Sequence, residues 1–557
     1  MPVTMVGTRA VARVGINGTE VPLTLDSGAF FSFLTEAAAQ QLELPLRGLY
    51  GTKVRGLTGS VDARLTTVKR LQLTQGEIPN VDFIVGGNEP GGGTMGLLGR
   101  NLLTLGDAEF DLAHGMVRLI FPEGDCDNTD MAYWANGTPV SELELRQDRS
   151  SSAPAIKATA QLNGTNITVE FDTGAMSVIS LAAARRAGMA DADMKPAGMI
   201  HGLGRGEAKA WTAPVRKWVL GGEAIEHSRL RIGEFSIDDV DMLVGIDFFL
   251  SHRVYVSKKQ RRMYFTYQGG PVFALNAHAV TEADAAFDAD APADADGFAR
   301  RGAAWAARRD YVRALADLDR ACEMAPQAAD YFTRRGQVHV ALKHFTEALQ
   351  DYTTALRLDP AQAEARLSRA QMRAASGDRD GALGDLQALD QVLAAQADMR
   401  RDMAGLYDRL DRLDLSLAQW NLWIPSHRNE VDLDHALNGR CWARAMLGIE
   451  LDKALADCDD ALDHRPKEAN YLDSRAWVQL RRGRLRDALS DYDRALEIRP
   501  DSAWSLYGRG LARTKMGQVD QGLADIEKAR ELSASIDEAL RRHGLAQVDA
   551  PGPRQAP

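Results

Sequence analysis

The chain has 557 residues, of which 45% are hydrophobic and 26% are charged, and this ordinary globular composition excludes a collagen-like or wholly disordered protein. Its 66 Lys and Arg residues against 77 Asp and Glu residues give a formal net charge of −11, which excludes a global attraction to nucleic acid or to an anionic membrane. Four cysteines are too few for a disulfide framework, and no apolar run is long enough to predict a membrane span. At roughly 150 residues per domain, the length predicts three or four domain-sized units.

The N-terminal segment lacks the basic stretch followed by an apolar stretch that marks an export signal. On the chain as given, we therefore expect a cytoplasmic protein. Strand-like alternation starts almost at Met1, which is compatible with the removal of an upstream signal. In that case we expect a periplasmic or secreted protein.

The first half of the chain contains a duplication at an offset of 146 residues. The sequence between the repeated landmarks alternates apolar and polar residues as strands do, and the repeated Asn-Gly pair is a strong hairpin signal. Each copy therefore predicts a small β-rich lobe: lobe one at 1–122 and lobe two at 139–268, joined by a linker at 123–138. The repeated landmarks are Asn17-Gly18 with Asn163-Gly164, Asp26-Ser27-Gly28-Ala29 with Asp172-Thr173-Gly174-Ala175, Gly56-Leu57 with Gly202-Leu203, and Leu97-Leu98-Gly99 with Leu243-Val244-Gly245.

Asp26 and Asp172 each follow an apolar strand and precede a Ser/Thr-Gly-Ala sequence. A carboxylate at the end of a buried strand is partly desolvated and needs hydrogen-bond donors, which the next hydroxyl and the glycine backbone can supply. Two copies related by a pseudo-two-fold axis would place the two carboxyl groups face to face, so that they share one proton and hold a water. The pattern predicts hydrolysis of an amide without a covalent intermediate.

This double motif resembles the retropepsin family of aspartic peptidases, because an apolar-apolar-Gly sequence follows each Asp at an interval of 73 residues. The segment LLGRNLL at 97–103 is particularly similar to the retroviral form. The resemblance covers both lobes and implies a pseudo-dimeric all-β fold within one chain, with Asp26 and Asp172 as the catalytic pair. It also implies that Ser27 and Thr173 interlock the two loops. The residues that it implies as support for these loops are Gly28, Ala29, Leu98 and Gly99 in lobe one, and Gly174, Ala175, Val244 and Gly245 in lobe two.

The same resemblance implies a flap in each lobe, a glycine-containing hairpin that closes over the peptide. Glycine-rich segments stand at the expected distance after each Asp. The predicted flap and substrate-binding residues are Gly56, Leu57, Thr58 and Gly59 in lobe one, and His201, Gly202, Leu203 and Gly204 in lobe two.

A cofactor or metal is not predicted. The glycines at 91, 93 and 96 match a dinucleotide fingerprint in spacing, but neither the strand–helix context nor the ribose-binding acid follows, so we interpret them as a glycine-rich loop. Clustered Cys and His residues and a phosphate-binding loop are also missing from the sequence.

Residues 269–297 separate the lobes from a second repeat system. From 282 to 296 the chain holds six acidic residues and no basic residue, which predicts either a flexible acidic linker or a helical lead-in to the first repeat. A terminal tail at 546–557 is predicted to be disordered.

Residues 298–545 repeat with a period of 34, which predicts a series of helix–turn–helix units. Ala-Leu or a close variant opens each second helix, a small residue lies about twelve positions earlier, and a proline often lies twelve positions later. This array resembles the tetratricopeptide repeat in period and in proline position. It predicts an all-α solenoid of about seven repeats, the fourth degenerate and the fifth with an extra residue in its turn. The Ala-Leu-type positions are 314, 348, 382, 416, 454, 488 and 522, and the small residues are Gly302, Gly336, Ala370, Ala404, Cys441, Ala476 and Gly510.

Two sets of charged residues follow the same period. Six repeats carry both an Arg before the small residue and an Asp in the second helix, whereas the fourth carries Met403 and Gln419 instead. Paired presence and paired absence favour an Arg–Asp ion pair over a basic ladder for an acidic ligand. Cys441 and Cys458 are predicted to face each other as buried small residues and not as a redox pair. The charged residues are Arg301, Arg335, Arg369, Arg440, Arg475 and Arg509, with Asp317, Asp351, Asp385, Asp457, Asp491 and Asp525.

The sequence therefore predicts an aspartic endopeptidase that binds an extended peptide between the lobes of a monomeric catalytic unit. The helical array would recruit a protein substrate or another protein partner through its groove. The alternative is an inactive peptide-binding module of the same fold on an interaction scaffold.

Overall fold

The computed structural model describes residues 1–87, 91, 93–124, 126–135, 137–146, 154–202, 206–237, 239–270, 272–273 and 292–545. The chain forms two compact units, Met1–Ala394 and Ala395–Pro557. The first unit contains both β lobes and the first three helix pairs, and the second contains the later helices.

Lobe one is built on an eight-stranded sheet with the order β1-β2-β3-β8-β4-β7-β6-β5. Strand β2 also pairs with β6, so the sheet curls into a barrel-like form. The strands are β1 Thr4–Val6, β2 Arg9–Ile16, β3 Thr19–Leu25, β4 Phe33–Leu34, β5 Arg47–Gly56, β6 Gly59–Leu73, β7 Gly76–Val85 and β8 Gly96–Leu98, with helices α1 Glu36–Gln41 and α2 Arg100–Leu103.

Lobe two repeats this architecture with a seven-stranded sheet in the order β12-β13-β18-β14-β17-β16-β15. A pairing of β12 with β16 again curls the sheet. The strands are β12 Lys157–Leu162, β13 Thr165–Phe171, β14 Val178–Ser180, β15 Lys195–His201, β16 Glu207–Leu220, β17 Glu223–Gly233 and β18 Met242–Val244, with helices α3 Leu181–Arg186 and α4 Ile246–Ser251.

The repeated Asn-Gly pairs form the predicted hairpin turns. Asn17 and Gly18 have φ values of 51° and 93°, and Asn163 and Gly164 have values of 51° and 86°. Both positions of a type I′ turn need positive φ, which Asn and Gly adopt at low cost. These turns join β2 to β3 and β12 to β13, the hairpins that lead into the two Asp motifs.

A five-stranded sheet takes strands from both lobes, in the order β10-β9-β19-β20-β11. In its centre, β9 pairs with β19 so that Phe110 lies opposite Val254 and Ala108 lies opposite Val256. Residues 108 and 110 correspond to 254 and 256 at the repeat offset of 146, so the pairing is self-complementary, as a two-fold axis requires. The strands are β9 Asp107–Asp111, β10 Met116–Ile120, β11 Ser141–Glu144, β19 His252–Ser257 and β20 Arg262–Tyr267.

The described residues from 292 to 545 form seven helix pairs and one terminal helix, in agreement with the predicted all-α repeat region. The sequence prediction of an all-β double lobe followed by a helical repeat region is therefore confirmed. In chain order the helices are α5 Ala295–Ala307, α6 Tyr311–Met324, α7 Ala329–Ala341, α8 Phe345–Leu358, α9 Ala363–Ala375, α10 Arg379–Asp390, α11 Met399–Arg409, α12 Leu413–Trp423, α13 Leu433–Leu447, α14 Leu451–His464, α15 Ala469–Arg481, α16 Leu485–Ile498, α17 Ala503–Lys515, α18 Val519–Leu532 and α19 Ile536–Arg542.

The predicted Arg–Asp ion pairs form in all six repeats that carry both residues. Each guanidinium donates two hydrogen bonds to the carboxylate of its own repeat, with donor–acceptor distances between 2.6 and 2.9 Å. In the fourth repeat, Arg400 instead donates to Gln419 at 2.6 Å. These contacts lie within helix pairs, so the residues stabilise the repeats and do not form a basic ladder.

The prediction for Cys441 and Cys458 was wrong in one respect, because the two residues form a disulfide. Both side chains are buried, as predicted. Their Cα atoms lie 5.6 Å apart, within the usual range for a disulfide, because Cys441 occupies the small position at which the first helix of the repeat meets the second.

The described ends of the region predicted as an acidic linker are ordered against the lobes. Val272 and Phe273 are buried in the lobe core, and α5 begins at Ala295 after an N-cap at Asp294 that accepts from Gly297 N at 2.7 Å. The stretch 274–291 and the predicted disordered tail at 546–557 lie outside the described residues. In the part of the chain that the structure describes, none of the helices is both long and apolar enough to cross a bilayer.

Candidate active site

The two Asp motifs lie at the ends of strands that pair with the strands carrying the repeated apolar-apolar-Gly sequence. Asp26 follows β3, which runs parallel to β8, and its amide donates to Leu98 O at 2.9 Å. Asp172 follows β13, which runs parallel to β18, and its amide donates to Val244 O at 2.9 Å. The predicted support residues Leu98 and Val244 therefore fix the backbone of the two carboxyl-bearing residues.

Ser27 and Thr173 interlock the two loops, as the resemblance implied. Ser27 N donates to Thr173 Oγ1 at 3.0 Å, and Thr173 N donates to Ser27 Oγ at 3.0 Å. Each hydroxyl also donates across the interface, to Phe171 O at 2.9 Å and to Leu25 O at 3.0 Å. Both side chains are buried, so this reciprocal network holds the loops in one relative position.

The two carboxyl groups face each other across the interface between the lobes. A Cβ atom at Gly28 would lie 2.5 Å from Asp172 Oδ2, and a Cβ atom at Gly174 would lie 2.6 Å from Asp26 Oδ2. Each glycine therefore leaves the space that the opposite carboxyl group occupies. Asp26 and Asp172 are both partly exposed, so solvent or a substrate can reach them.

The electrostatics of the pair agree with a shared proton. Burial, and then the negative charge of Asp26, raise the pKa of Asp172 well above its ordinary value. Burial also raises the pKa of Asp26. The amides of Ala29 and Gly28, which donate to Asp26 Oδ1 at 2.7 and 2.9 Å, and the charge of Arg100 act in the opposite direction and lower this pKa. These groups favour the ionised form on Asp26 and the protonated form on Asp172.

Comparison with protein-family models agrees with this geometry. A model described as aspartyl protease matches residues 12–102 and again residues 158–248, and tetratricopeptide repeat models match 329–362 and 479–517. The first half of the chain is thus similar to the aspartyl protease family in two tandem segments, and the second half is similar to tetratricopeptide repeats.

Tetratricopeptide repeat proteins are among the solved structures that are similar to the chain. YrrB, described as having an unusual peptide-binding site, is 18% identical with a TM-score of 0.31, over 34% of this chain and 97% of its own. A repeat protein from Parabacteroides merdae is 17% identical with a TM-score of 0.33, over 45% of this chain and 98% of its own. The comparison with curated proteins finds no match.

The predicted support glycines of the two lobes stand where backbones approach closely. A Cβ atom at Gly99 would lie 2.5 Å from Phe31 C, and one at Gly245 would lie 2.5 Å from Ser177 N. Ala29 O and Ala175 O each accept from the amide that follows these glycines, at 2.8 Å in both lobes. The predicted support set is therefore brought together around the two Asp motifs.

Sequence reasoning missed a second layer of polar residues behind these loops. Asn101 Oδ1 accepts from Ser32 N at 2.7 Å and from Ser32 Oγ at 2.8 Å, and Asp247 Oδ1 accepts the same two bonds from Ser177 at 2.9 and 2.7 Å. The repeated Ser was the signal, but it follows Asp26 by six positions and Asp172 by five, so the constant offset of 146 does not align the two serines.

Asp247 differs from Asn101 in carrying an ionisable group where lobe one has an amide. Its side chain is fully buried, and its Oδ2 atom has no hydrogen-bond partner among the described residues. Burial raises the pKa of Asp247 to about 6, against the two hydrogen bonds from Ser177.

The predicted flap of lobe one is the hairpin of β5 and β6, in which Gly56 pairs with Gly59 and Leu57 and Thr58 form the tip. This tip reaches lobe two, where Thr58 Oγ1 accepts from Gly202 N at 2.9 Å and Leu57 packs on the apolar cluster around Ile200.

The predicted flap of lobe two is the hairpin of β15 and β16, in which His201 pairs with Glu207. Leu203 and Gly204 at its tip lie outside the described residues. A group of His, Cys, Asp or Glu side chains suited to a metal ion is not found in the part of the chain that the structure describes.

Proposed function

We propose that the protein is an aspartic endopeptidase in which Asp26 and Asp172 activate a water for the hydrolysis of a peptide bond. The observation that carries the proposal is the placement of the two carboxyl groups against each other's glycine, held by the reciprocal Ser27–Thr173 hydrogen bonds. The matches of both lobes to the aspartyl protease family support it. The catalytic unit would be a single chain, formed by lobe one at 1–122 and lobe two at 139–268.

In the proposed reaction, ionised Asp26 takes a proton from the water as the water oxygen bonds to the peptide carbonyl carbon. Protonated Asp172 gives its proton to the carbonyl oxygen, so a neutral tetrahedral intermediate forms without a covalent enzyme adduct. Collapse of this intermediate breaks the C–N bond, one carboxyl group protonates the leaving amine, and the other takes back a hydroxyl proton. The raised pKa of Asp172 supports its role as the acid.

The substrate would lie as an extended strand between the lobes, under the two flaps. Main-chain groups of Gly56 to Gly59 in lobe one and His201 to Gly204 in lobe two would hold it, and flap opening would admit it. The helical repeats would bring a protein substrate or another protein partner to the protease lobes, since tetratricopeptide repeats serve protein interaction.

The test is peptide cleavage by the full chain and by the variants Asp26→Asn and Asp172→Asn, with a statine-containing peptide as inhibitor. Either substitution removes one of the two carboxyl groups, so we expect both variants to lose cleavage and the inhibitor to block the unchanged chain. Asp191→Asn is the matched control, because Asp191 is an exposed carboxyl group in lobe two that pairs with Arg185, and it should keep full activity.

Cleavage that survives both substitutions would refute the dyad. A chain that binds the peptide but does not cleave it under any condition would instead support the alternative of a peptide-binding module.

A further inference from the structure

A buried ion pair joins the two lobes beside the two Asp motifs. Arg100, the first residue of α2 in lobe one, donates from Nη1 to Glu170 Oε1 of β13 in lobe two at 3.2 Å, and both side chains are buried. Arg100 also lines a small internal cavity together with Ser27, the residue after Asp26. Glu170 precedes Asp172 by two positions. The ion pair therefore spans the interface at which the two Asp motifs meet.

Both partners stand at positions where the other lobe has a neutral residue. The counterpart of Arg100 is Ile246, since the amide of each donates to the alanine carbonyl of its own Asp motif at 2.8 Å. The counterpart of Glu170 is Thr24, since each lies two residues before its Asp, on strands that pair in the same way. The otherwise two-fold arrangement thus has an additional positive group from lobe one and an additional negative group from lobe two.

The stability of the fold does not account for this ion pair. The desolvation of two buried charges offsets most of their mutual attraction, so apolar residues of similar size are often equally stabilising. A fixed charge in a buried position is screened little by salt and acts strongly on titratable groups nearby. We therefore look for its effect on the two carboxyl groups.

The two charges act on the two carboxyl groups in opposite directions. Burial raises the pKa of both Asp26 and Asp172. The positive charge of Arg100 lowers the pKa of Asp26. The negative charge of Asp26, and also that of Glu170, raises the pKa of Asp172. The ion pair therefore favours a proton on Asp172 over a proton on Asp26.

Two lysines also face the ion pair. Lys157 Nζ of β12 lies 3.8 Å from Glu170 Oε2 and offsets part of its charge. Lys258 lines the same cavity as Arg100 and donates to Thr104 O of lobe one, so it adds to the positive charge on that side. Both lysines leave the direction of the asymmetry unchanged.

We infer that Arg100 and Glu170 are positioning residues that break the two-fold symmetry of the carboxyl groups, so that one carboxyl group serves as the base and the other as the acid. The base is then Asp26 and the acid is Asp172. Both charged residues act through the two Asp residues from buried positions. The inference rests on the proposed function and adds to it the groups that give two copies of one motif different roles.

The test is the pH dependence of kcat/KM for one cleaved peptide, with the full chain and its variants Arg100→Met and Glu170→Gln. Loss of the Arg100 charge should move the acid limb to higher pH by about one pH unit, because Asp26 then holds its proton more tightly. Loss of the Glu170 charge should move the alkaline limb to lower pH by about one pH unit, because Asp172 then releases its proton more readily. Arg100→Lys keeps the charge and should keep the profile of the unchanged chain.

Glu109→Gln is the matched control. Glu109 belongs to another ion pair between the lobes, in the central five-stranded sheet, where Arg253 Nε donates to Glu109 Oε1 at 2.9 Å. This substitution should lower the unfolding temperature and leave both limbs of the profile in place. If Arg100→Met does not fold, Glu170→Gln decides alone, because Gln keeps the shape of the side chain.

Limbs that stay in place, or that move in the same direction in both variants, would overturn the inference. If the unchanged chain cleaves no peptide, the proposed function fails, and carbon-13 NMR of the Asp carboxyl groups in the full chain decides the inference, with Asp26→Asn and Asp172→Asn assigning the two signals. A titration midpoint that is higher for Asp172 than for Asp26, and that Glu170→Gln lowers, would support it. Midpoints that Glu170→Gln leaves unaltered would refute it.

Discussion

The arrangement of the two carboxyl groups depends on single glycines. Gly28 and Gly174 have no side chain where the opposite Asp carboxyl group lies, and neither has a positive φ that would itself require glycine. Their role is therefore to leave space for the opposite carboxyl group, because a methyl group at either position would overlap the carboxyl oxygens.

Gly28→Ala should inactivate the protein without unfolding it. The added Cβ would lie 2.5 Å from Asp172 Oδ2, at the end of a side chain that can rotate away, so the fold survives and the dyad geometry does not. A displacement of about 1 Å at a reacting group costs on the order of 100-fold in rate. Peptide cleavage and thermal unfolding of the same variant check this.

Gly384→Ala is the control for this substitution, since a Cβ atom at Gly384 in α10 meets nothing within 4 Å. It should keep both activity and stability. A fully active Gly28→Ala variant would contradict the proposed contact between the carboxyl group and the glycine.

Asp247→Asn should stabilise the protein at neutral pH and not at acid pH. Because burial raises the pKa of Asp247 from 3.8 to about 6, the folded state binds this proton more tightly than the unfolded state does. Stability is therefore lost as the pH rises from 3.8 to about 6, by up to about 3 kcal/mol. Asn removes this loss and keeps the bonds to Ser177, as Asn101 does in lobe one.

Thermal unfolding of the Asp247→Asn variant and of the unchanged chain, at neutral pH and at acid pH, measures this difference in stability. The reverse change, Asn101→Asp, should destabilise lobe one at neutral pH. Equal unfolding temperatures for Asp247→Asn and the unchanged chain at neutral pH would contradict the buried, unpaired Oδ2.

At the scale of elements, the Arg–Asp pairs join the two helices of a repeat and in places join neighbouring repeats. Arg475 donates two bonds to Asp491 in its own repeat, and it also donates to Asp459 of the preceding repeat at 2.8 Å. The Asp491 side chain is largely buried, so its charge depends on this partner.

Arg475→Met should lower the free energy of unfolding of the second compact unit by about 3 kcal/mol, because it leaves a buried carboxylate without its main partner. Arg412→Met in the same unit is the control. Arg412 pairs with Asp414 in an exposed position, so its loss should cost less than about 1 kcal/mol. Urea unfolding measures both variants, and equal effects would contradict the structural role of the pair.

The sequence was sufficient to predict these elements wherever one residue type repeated at a constant interval. The Asn-Gly hairpins and the six Arg–Asp pairs were predicted in this way, whereas the Ser27–Thr173 interlock was implied by the resemblance to a family. The Ser32–Asn101 and Ser177–Asp247 contacts were missed because a residue inserted beside Phe31 breaks the constant offset. The disulfide was missed because a small residue at a helix contact is compatible with either a thiol or a disulfide.

At the scale of the whole molecule, the first helix of the repeat region packs into the core of the two β lobes. Ala303, Ala304 and Ala307 of α5 are buried in the same core as the lobes, and Arg308 donates to Gly269 O. The sequence could not predict this contact, since the alanines of α5 fit a packing partner in the next helix equally well. The central five-stranded sheet was also beyond sequence reasoning, because its neighbours come from strands far apart in the chain.

A chain that ends at Phe273 should therefore be less stable than one that ends at Ala394, the limit of the first compact unit. Loss of α5 exposes apolar core of the lobes to water, and we expect the unfolding temperature to fall by on the order of 5 °C. Thermal unfolding of the two shortened chains compares them. Equal unfolding temperatures would show that the lobes do not need α5.

The dependence of kcat/KM on pH, for one cleaved peptide, tests the proton-sharing dyad most directly. kcat/KM should be low at acid pH, where Asp26 is protonated, and should fall at higher pH, where Asp172 has lost its proton. The fall at higher pH should lie above the ordinary pKa of Asp, because burial and the charge of Asp26 raise the pKa of Asp172. We expect a bell-shaped profile, and a kcat/KM that keeps rising into the alkaline range would contradict a proton shared by the two carboxyl groups.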